Sequence, residues 1–288
     1  QLHATRRRKP DILICVGLDQ FAPYPDRSTL LVSFPDDVVL GTQILADIFG
    51  AADTLMLAPK RGTVINRLKG VCRHFRVPLL ATHNVYPSGD PTLVMTTFAP
   101  GRRRLRHGDP LKQGVILIEP WTAIRIARWM TRGQLDLARP MMIGWPDPNT
   151  PLTPCYALPG QPLASLHGAL AGTAAAMTGR VVIGNPMTGQ VVTTPKLSNR
   201  SLDPVVPTDE LLLSVLSPLH PPAAEACIAC GWCTAVCPTA LRPARLMELA
   251  QNDRHPEYLQ QQLRWCIGCG LCSHVCPSRL PLSQTFSE

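Results

Sequence analysis

CIACGWCTAVCP, residues 227–238, returns almost unchanged as CIGCGLCSHVCP, residues 266–277. Each run places three cysteines at steps of three residues, a fourth four residues later, and a proline directly after it. Eight of the eleven cysteines lie in these two runs, and Cys15, Cys72 and Cys155 stand apart from them. Disulfide frameworks belong to small secreted domains, and no apolar stretch follows the basic start QLHATRRRKPD as a secretory signal requires. Zinc sites usually join two well-separated Cys-x-x-Cys pairs, each half of a tetrahedron. The spacing found here is instead the Cys-x2-Cys-x2-Cys-x3-Cys-Pro run of bacterial [4Fe–4S] proteins.

The chemistry suits that spacing. A cubane has four iron corners, each needing one thiolate, and three-residue steps wrap the backbone around three of them. Gly231, Gly268 and Gly270 permit the tight turns and the close approach of backbone amides. In two-cluster ferredoxins the fourth cysteine of each run serves the other cluster. One cluster is therefore assigned Cys227, Cys230, Cys233 and Cys276, and the other Cys266, Cys269, Cys272 and Cys237. Four thiolates per cluster leave no open iron for a substrate, and no acid or base stands nearby, so the chemistry is electron transfer. Trp232 and Trp265, beside the runs, are expected to shield the clusters from water. Between the runs, Pro243 and Pro256 each start a helix, with Leu246, Leu249 and Ala250 on one face of the first and Leu259 and Leu263 on one face of the second. Residues 223–288 thus read as an α-helical ferredoxin module. The lone cysteines read as inert core or loop thiols.

Upstream, strands and helices alternate. DILICVG, DTLMLAP, VPLLATH and GVILIEP read as buried strands. FPDDVVLGTQILADIFG, capped by Asp36 or Asp37, GTVINRLKGVCRHF, a piece near 90–98, and WTAIRIARWMTR read as helices. Residues 10–135 therefore form a Rossmann-like parallel α/β layer. No G-x-G-x-x-G or Walker loop is present, and YPSGDP, 86–91, is a turn before a helix start. Short strands and a small helix joined by Pro/Gly turns over 138–195 suggest a small mixed β module. Residues 196–222 read as a proline-rich linker, with Leu211–Leu216 as a short anchoring helix.

The formal net charge is +8, concentrated at Arg6–Lys9 and at Arg102, Arg103, Arg104 and Arg106. Neither cluster interleaves aromatics, so nucleic acid is not expected. No apolar run approaches the ~20 residues of a membrane span. The expected setting is cytoplasmic, with membrane association only through partner subunits.

The chain resembles the RnfC family of the Rnf electron-transport complex and the cobalamin reductase of propanediol-utilising microcompartments. The flavin- and cluster-bearing subunit of respiratory complex I is a more distant relation. The two cysteine runs carry most of the resemblance. YPSG at 86–89, RHGDPLKQGVILIEPWTA at 106–123, LPGQPLASL at 158–166 and IGNPMTG at 183–189 support it in the same order. It implies a flavin-binding α/β domain, a soluble-ligand-binding (SLBB) β-grasp domain and a helical dicluster ferredoxin domain. Three departures matter. The glycine-rich G-G-x-G-F-P loop of flavin-binding members lies ahead of the first strand and is not in this sequence. Only Asp19 keeps the acidic character of the family's Asn-x-x-Glu segment, and Glu119, Pro120, Trp121 and Thr122 replace its Asn-Val-Gly/Glu-Thr, with Trp121 expected to crowd a ligand. The expectation is an α/β remnant without FMN, in an electron-relay subunit of a hetero-oligomeric complex whose partners are redox proteins such as ferredoxin or flavodoxin. The arginines at 102–106 would then meet an acidic partner. The alternatives are an FMN-dependent reductase that oxidises NADH and feeds its own clusters, and a scaffold whose clusters only stabilise the fold.

Overall fold

Ile12–Val16 (β1) pairs in parallel with Asp53–Pro59 (β2) on one side and Val115–Ile118 (β4) on the other, and Leu79–Thr82 (β3) extends the sheet beyond β2. The order is β3-β2-β1-β4. The computed structural model describes residues 9–20, 26–98, 110–144, 152–162, 180–185, 187–193, 206, 212–216, 223–252 and 256–286. Every residue of β1 is buried, as a central parallel strand covered on both faces requires. Cys15, Met56 and Ala58 face one way, against Asp26–Ser33 (α1), Pro35–Phe49 (α2), Gly62–His74 (α3) and Pro120–Arg132 (α5). Ile14, Val16, Leu57 and Val115 face the other, against Val94 and Met95 of Pro91–Phe98 (α4).

Helices α2 and α5 each begin with proline and end on a left-handed glycine, Gly50 and Gly133. Proline at the first helical position gives up an amide that has no partner there anyway. The start at Pro35 places Asp36 and Asp37 inside the first turn rather than at the cap, which is Phe34. Asp37 instead accepts from Arg128 Nε at 2.9 Å and from Arg132 at 3.0 Å, tying α2 to α5. The two helices cross closely at Gly41, where an added Cβ would collide with the Ala123 carbonyl.

The second sheet corrects two sequence expectations. Arg139–Gly144 (β5) pairs antiparallel with Thr153–Ala157 (β6), and Arg180–Ile183 (β7) with Gln190–Thr193 (β8). Between the two hairpins runs Leu212–Leu216 (β9), parallel to β5 and antiparallel to β7. The order β6-β5-β9-β7-β8 is the β-grasp arrangement. Leu211–Leu216 is thus no anchoring helix, and the 196–222 stretch is no simple linker, because it supplies the middle strand. An apolar run of this length satisfies either period by itself, and the free edges of β5 and β7 select strand. The small helix expected near 163–170 and the arginines at 6–8 and 102–106 fall outside the described residues.

The C-terminal module is helical: Trp232–Ala235 (α6), Pro243–Gln251 (α7), Pro256–Leu263 (α8), Leu271–His274 (α9) and Leu282–Thr285 (α10). Leu246 and Leu249 of α7 are buried as the spacing predicts, while no residue of α8 is fully buried. Among the described residues no single helix is long and apolar enough to cross a membrane; α1 and α2 reach that length only together, across a 99° bend.

The α2–α5 crossing yields a test. Gly41→Ala should destabilise the α/β layer by ~1–3 kcal/mol, since the Ala123 carbonyl cannot move without breaking α5. Thermal unfolding followed by circular dichroism reads the shift, and Gly70→Ala, whose added Cβ meets nothing within 4 Å, is the control.

Candidate metal centres at the two cysteine runs

The two runs adopt one backbone path. Ala229 and Gly268, Gly231 and Gly270, and Ala240 and Arg279 occupy matching places and share positive φ values between 55° and 80°. Gly231 and Gly270 sit directly before the short helices α6 and α9, so each run turns sharply and then coils. Ala229, Ala240 and Arg279 hold the left-handed conformation against their intrinsic preference.

This path gathers the thiols into two sets. One cavity, of ≈ 430 Å³, is lined by Cys227, Cys230, Cys233 and Cys276. A second is lined by Cys237, Cys266, Cys269 and Cys272. Each set draws three sulfurs from one run and one from the other. In the second set the thiols are close enough that Cys237 and Cys266 both act electrostatically on Cys269 and Cys272. Burial pushes the Cys272 thiol up to about 11 and raises Cys266 and Cys269 as well. Backbone amides of Gly268 and Leu271 hydrogen-bond the Cys266 and Cys269 sulfurs, and Leu241 N donates to Cys237 Sγ at 3.3 Å. Such donors are among the levers that set the potential of an iron–sulfur centre.

The donor set fits cubanes better than single ions. Each cavity offers four thiols, the full complement of a [4Fe–4S] cluster. Among the described residues, no three His, Cys, Asp or Glu side chains form a set that holds one metal ion. A cubane spreads its thiolates over four irons, so its protein ligands stand wider apart than those of a tetrahedral zinc.

The family described as 4Fe-4S dicluster domain matches residues 226–280. This segment is a 4Fe–4S dicluster domain. Two [4Fe–4S] clusters are its cofactors, and electron transfer is its chemistry. No curated protein matches the chain. Among solved structures, a chain of NAD+-reducing [NiFe]-hydrogenase in the air-oxidized state is similar over 99% of this chain and 49% of its own, at 15% identity and a TM-score of 0.56. A chain of NAD+-reducing [NiFe]-hydrogenase in the H2-reduced state is similar over 99% and 55%, at 14% identity and a TM-score of 0.58. The chain therefore spans about half the length of these structures, and at such identity the likeness is one of fold.

The surroundings of the two sets differ. Cys227 and Cys230 are exposed, next to Ile228 and Trp232, which are 67% and 61% exposed. Trp265 is 41% exposed. The expected shielding is not seen, because neither indole is among the residues lining the two thiol cavities. The second set of the dicluster domain lies inward, against the β7–β8 turn. An added Cβ at Gly270 would come 2.7 Å from Thr188 Cγ2 and 3.0 Å from Met187 Cβ. Tyr86 Oη donates to the Cys269 carbonyl at 2.6 Å, and Asn185 Nδ2 donates to Tyr86 Oη at 2.6 Å. Reading YPSG as a turn alone misses these contacts; a large phenol beside Pro-Ser-Gly is the available signal.

The α/β layer has a crevice of its own. It lies at the C-terminal ends of β1 and β4, lined by Val16, Gln20, Arg27, Leu117, Ile118 and Glu119 among others. The strand order changes direction between these two strands, the usual place for a ligand in such sheets. The residues do not fit a flavin phosphate. Glu119 is the N-cap residue of α5; its carboxylate makes no cap hydrogen bond and lies 3.8 Å from Arg139 Nη2, but it brings negative charge to the helix end that would attract an anion. Arg27 is committed to the Leu18 and Gly89 carbonyls and to Gln20 Oε1. Asp19 is buried and accepts from Ser28 N at 2.7 Å, Ser28 Oγ at 2.8 Å and Asn84 Nδ2 at 2.6 Å, which makes it a brace for the turn after β1. Trp121, expected to crowd a ligand, instead lies in the core with Leu31 and Ile124. Pro120, as the first residue of α5, costs the helix no bond.

The lone thiols are quiet. Cys15 is wholly buried, and burial pushes it up to about 12; Cys72 is pushed up to about 11 for the same reason.

Asp26 at the head of α1 is buried, and burial pushes its carboxyl up to about 7. Among the described residues its Oδ2 has no hydrogen-bond partner, while Oδ1 accepts from Gln20 N at 2.9 Å. A carboxyl raised on folding carries no penalty below its unfolded value near 4 and a growing one as pH rises toward 7. Asp26→Asn keeps the Oδ1 acceptor and removes the charge. It should leave the melting temperature nearly unchanged at pH 4 and raise stability by ~1–4 kcal/mol at pH 8.

Proposed function

We propose that this chain is the iron–sulfur relay subunit of a hetero-oligomeric oxidoreductase, passing electrons through its two clusters between redox partner proteins. The observation that carries the reading is the exchange of fourth cysteines between the two thiol sets. Cys227, Cys230, Cys233 and Cys276 hold the first cluster, and Cys266, Cys269, Cys272 and Cys237 the second. When bound, the clusters supply two one-electron sites held in one rigid module. The chain's own residues give this module a direction. Cys227 and Cys230 open the first set to solvent, so a redox protein exchanges electrons there. Tyr86, Met187 and Thr188 cover the second set from the α/β and β-grasp modules, which act as a docking frame rather than a flavin site.

Rnf-like membership is supported by the order of the three modules and by the motifs shared with that family. On this reading the chain sits on the cytoplasmic face of its complex, held to any membrane by partner subunits, with ferredoxin- or flavodoxin-like proteins as donors or acceptors. The solved structures of similar fold are described as an NAD+-reducing [NiFe]-hydrogenase, and a redox setting for this chain is consistent with that description. In this chain the crevice carboxylate at Glu119 argues against direct use of NADH through FMN.

Two measurements test the reading. Anaerobically prepared protein reduced with dithionite should give two coupled [4Fe–4S] signals by electron paramagnetic resonance, with iron and sulfide in equal amounts. NADH alone should not bleach them. Zinc in place of iron, or bleaching by NADH with FMN retained, would overturn it. The ligand exchange has its own signature. Cys276→Ser should remove the same signal as Cys230→Ser, and Cys237→Ser the same signal as Cys269→Ser. Pairing by run instead, with Cys237→Ser matching Cys230→Ser, would show that each run closes its own cluster.

A further inference from the structure

The second thiol set touches the rest of the molecule through a short polar chain that no sequence motif announces. Tyr86 comes from the turn after β3, Asn185 from the β7–β8 turn, and Cys269 from the second cysteine run, so the three hydrogen-bonded residues belong to three different modules. Both bonds measure 2.6 Å, at the short end for protein hydrogen bonds. Asn185 is 7% exposed and already fixed by its own turn: its Oδ1 accepts from Met187 N at 2.9 Å, and its carbonyl accepts from Gly189 N at 2.6 Å. The amide therefore has one orientation available, with Nδ2 toward Tyr86. The phenol, accepting from Asn185, has its proton left to give to the Cys269 carbonyl. The next residue, Gly270, packs on Met187 and Thr188 of the same turn. The matching carbonyl of the first run, that of Cys230, lies on an exposed residue among exposed neighbours.

We propose that the Tyr86–Asn185 pair is a positioning and tuning element for one centre only, the one held by Cys237, Cys266, Cys269 and Cys272, and that it makes the two centres unequal in potential. This deepens the relay reading and rests on its ligand assignment. The physical basis is local. A donor on the Cys269 carbonyl polarises the peptide that joins Cys269 to Gly270, directing the positive end of a hydroxyl dipole toward the ligand loop. Positive potential near the sulfurs favours the reduced, more negative state. The asparagine strengthens this by donating to the phenol oxygen, since hydrogen bonds in a chain polarise one another. Among the described residues no counterpart of the pair reaches the first run, so the backbone repeat is preserved while its electrostatics are not. Tyr86 does not touch the sulfurs; it acts through the peptide of a ligand.

The test uses the full-length protein with both clusters in place. Redox titration followed by electron paramagnetic resonance gives the two midpoint potentials separately, and Cys230→Ser and Cys269→Ser assign each signal to its thiol set. Tyr86→Phe keeps the ring and removes both hydrogen bonds. It should move the potential of the second set to more negative values, leave the first set unchanged, and keep the iron content. Asn185→Ala leaves the bond to Cys269 and should give a shift of the same sign but smaller size. If Tyr86→Phe loses iron, Asn185→Ala carries the test alone. Unchanged potentials with iron retained, equal shifts of both centres, or loss of iron from both variants would overturn the proposal, the last because it marks a role in folding only. A wild-type protein without two iron–sulfur signals would instead overturn the relay reading itself, so the two failures are distinct.

Discussion

A cubane has four corners, and cysteines spaced three residues apart wrap closely around only three of them. In this chain the missing thiol of each set comes from the other run, beyond two helices. That one requirement explains much of the C-terminal module. The prolines after Cys237 and Cys276 turn the chain away once the fourth thiol is placed. Cys233 of the first set packs with Met247 and Leu282, and Cys272 of the second packs against them, so the apolar core of the module reaches both sets. Ser278 closes the ring by donating to the Ala226 carbonyl, while its own carbonyl accepts from Glu225 N, which brings the entry of the first run beside the exit of the second.

How much of this is legible in the sequence depends on how local the determining forces are. The cysteine spacing is wholly local, and so are the apolar runs that mark β1, β2 and β4. DTLMLAP is a strand from its first residue to its last. Where a partner decides, the residues alone are ambiguous. LLSVL becomes the central strand β9 because two hairpins leave edges that need it, and the flanking prolines carry no hint of that. Asp37 has the look of a cap and serves as an ion-pair hub because Arg128 and Arg132 come from a helix far along the chain. The exposure of Trp232 and Trp265 is likewise a matter of tertiary placement, which spacing does not encode.

The α/β layer shows the reverse situation, a crevice whose lining does not suit a phosphate. The crevice stands at the reversal point of the sheet, yet Glu119 faces it and Arg27 is bound to two carbonyls and a glutamine. Asp19 and Asn84 bond each other beside it, through Asp19 N and Asn84 Nδ2. Most of these polar groups are spent on one another, with Asp26 Oδ2 and Arg27 Nε left over among the described residues. The same layer holds Tyr86 against the second thiol set.

The late arrival of β9 has a consequence for how the protein is made. Domains emerging from a ribosome fold from the N-terminal end at a pace set by synthesis, ≈ 5–20 residues per second. The parallel sheet is complete once Ile118 has emerged, but β5 and β7 must wait for Leu212–Leu216 with their inner edges unsatisfied. The chain that bridges this interval is rich in proline, which resists being recruited as a substitute strand. Birth order thus separates the molecule into an early half whose sheet closes by itself and a late half in which sheet and cysteine runs mature almost together.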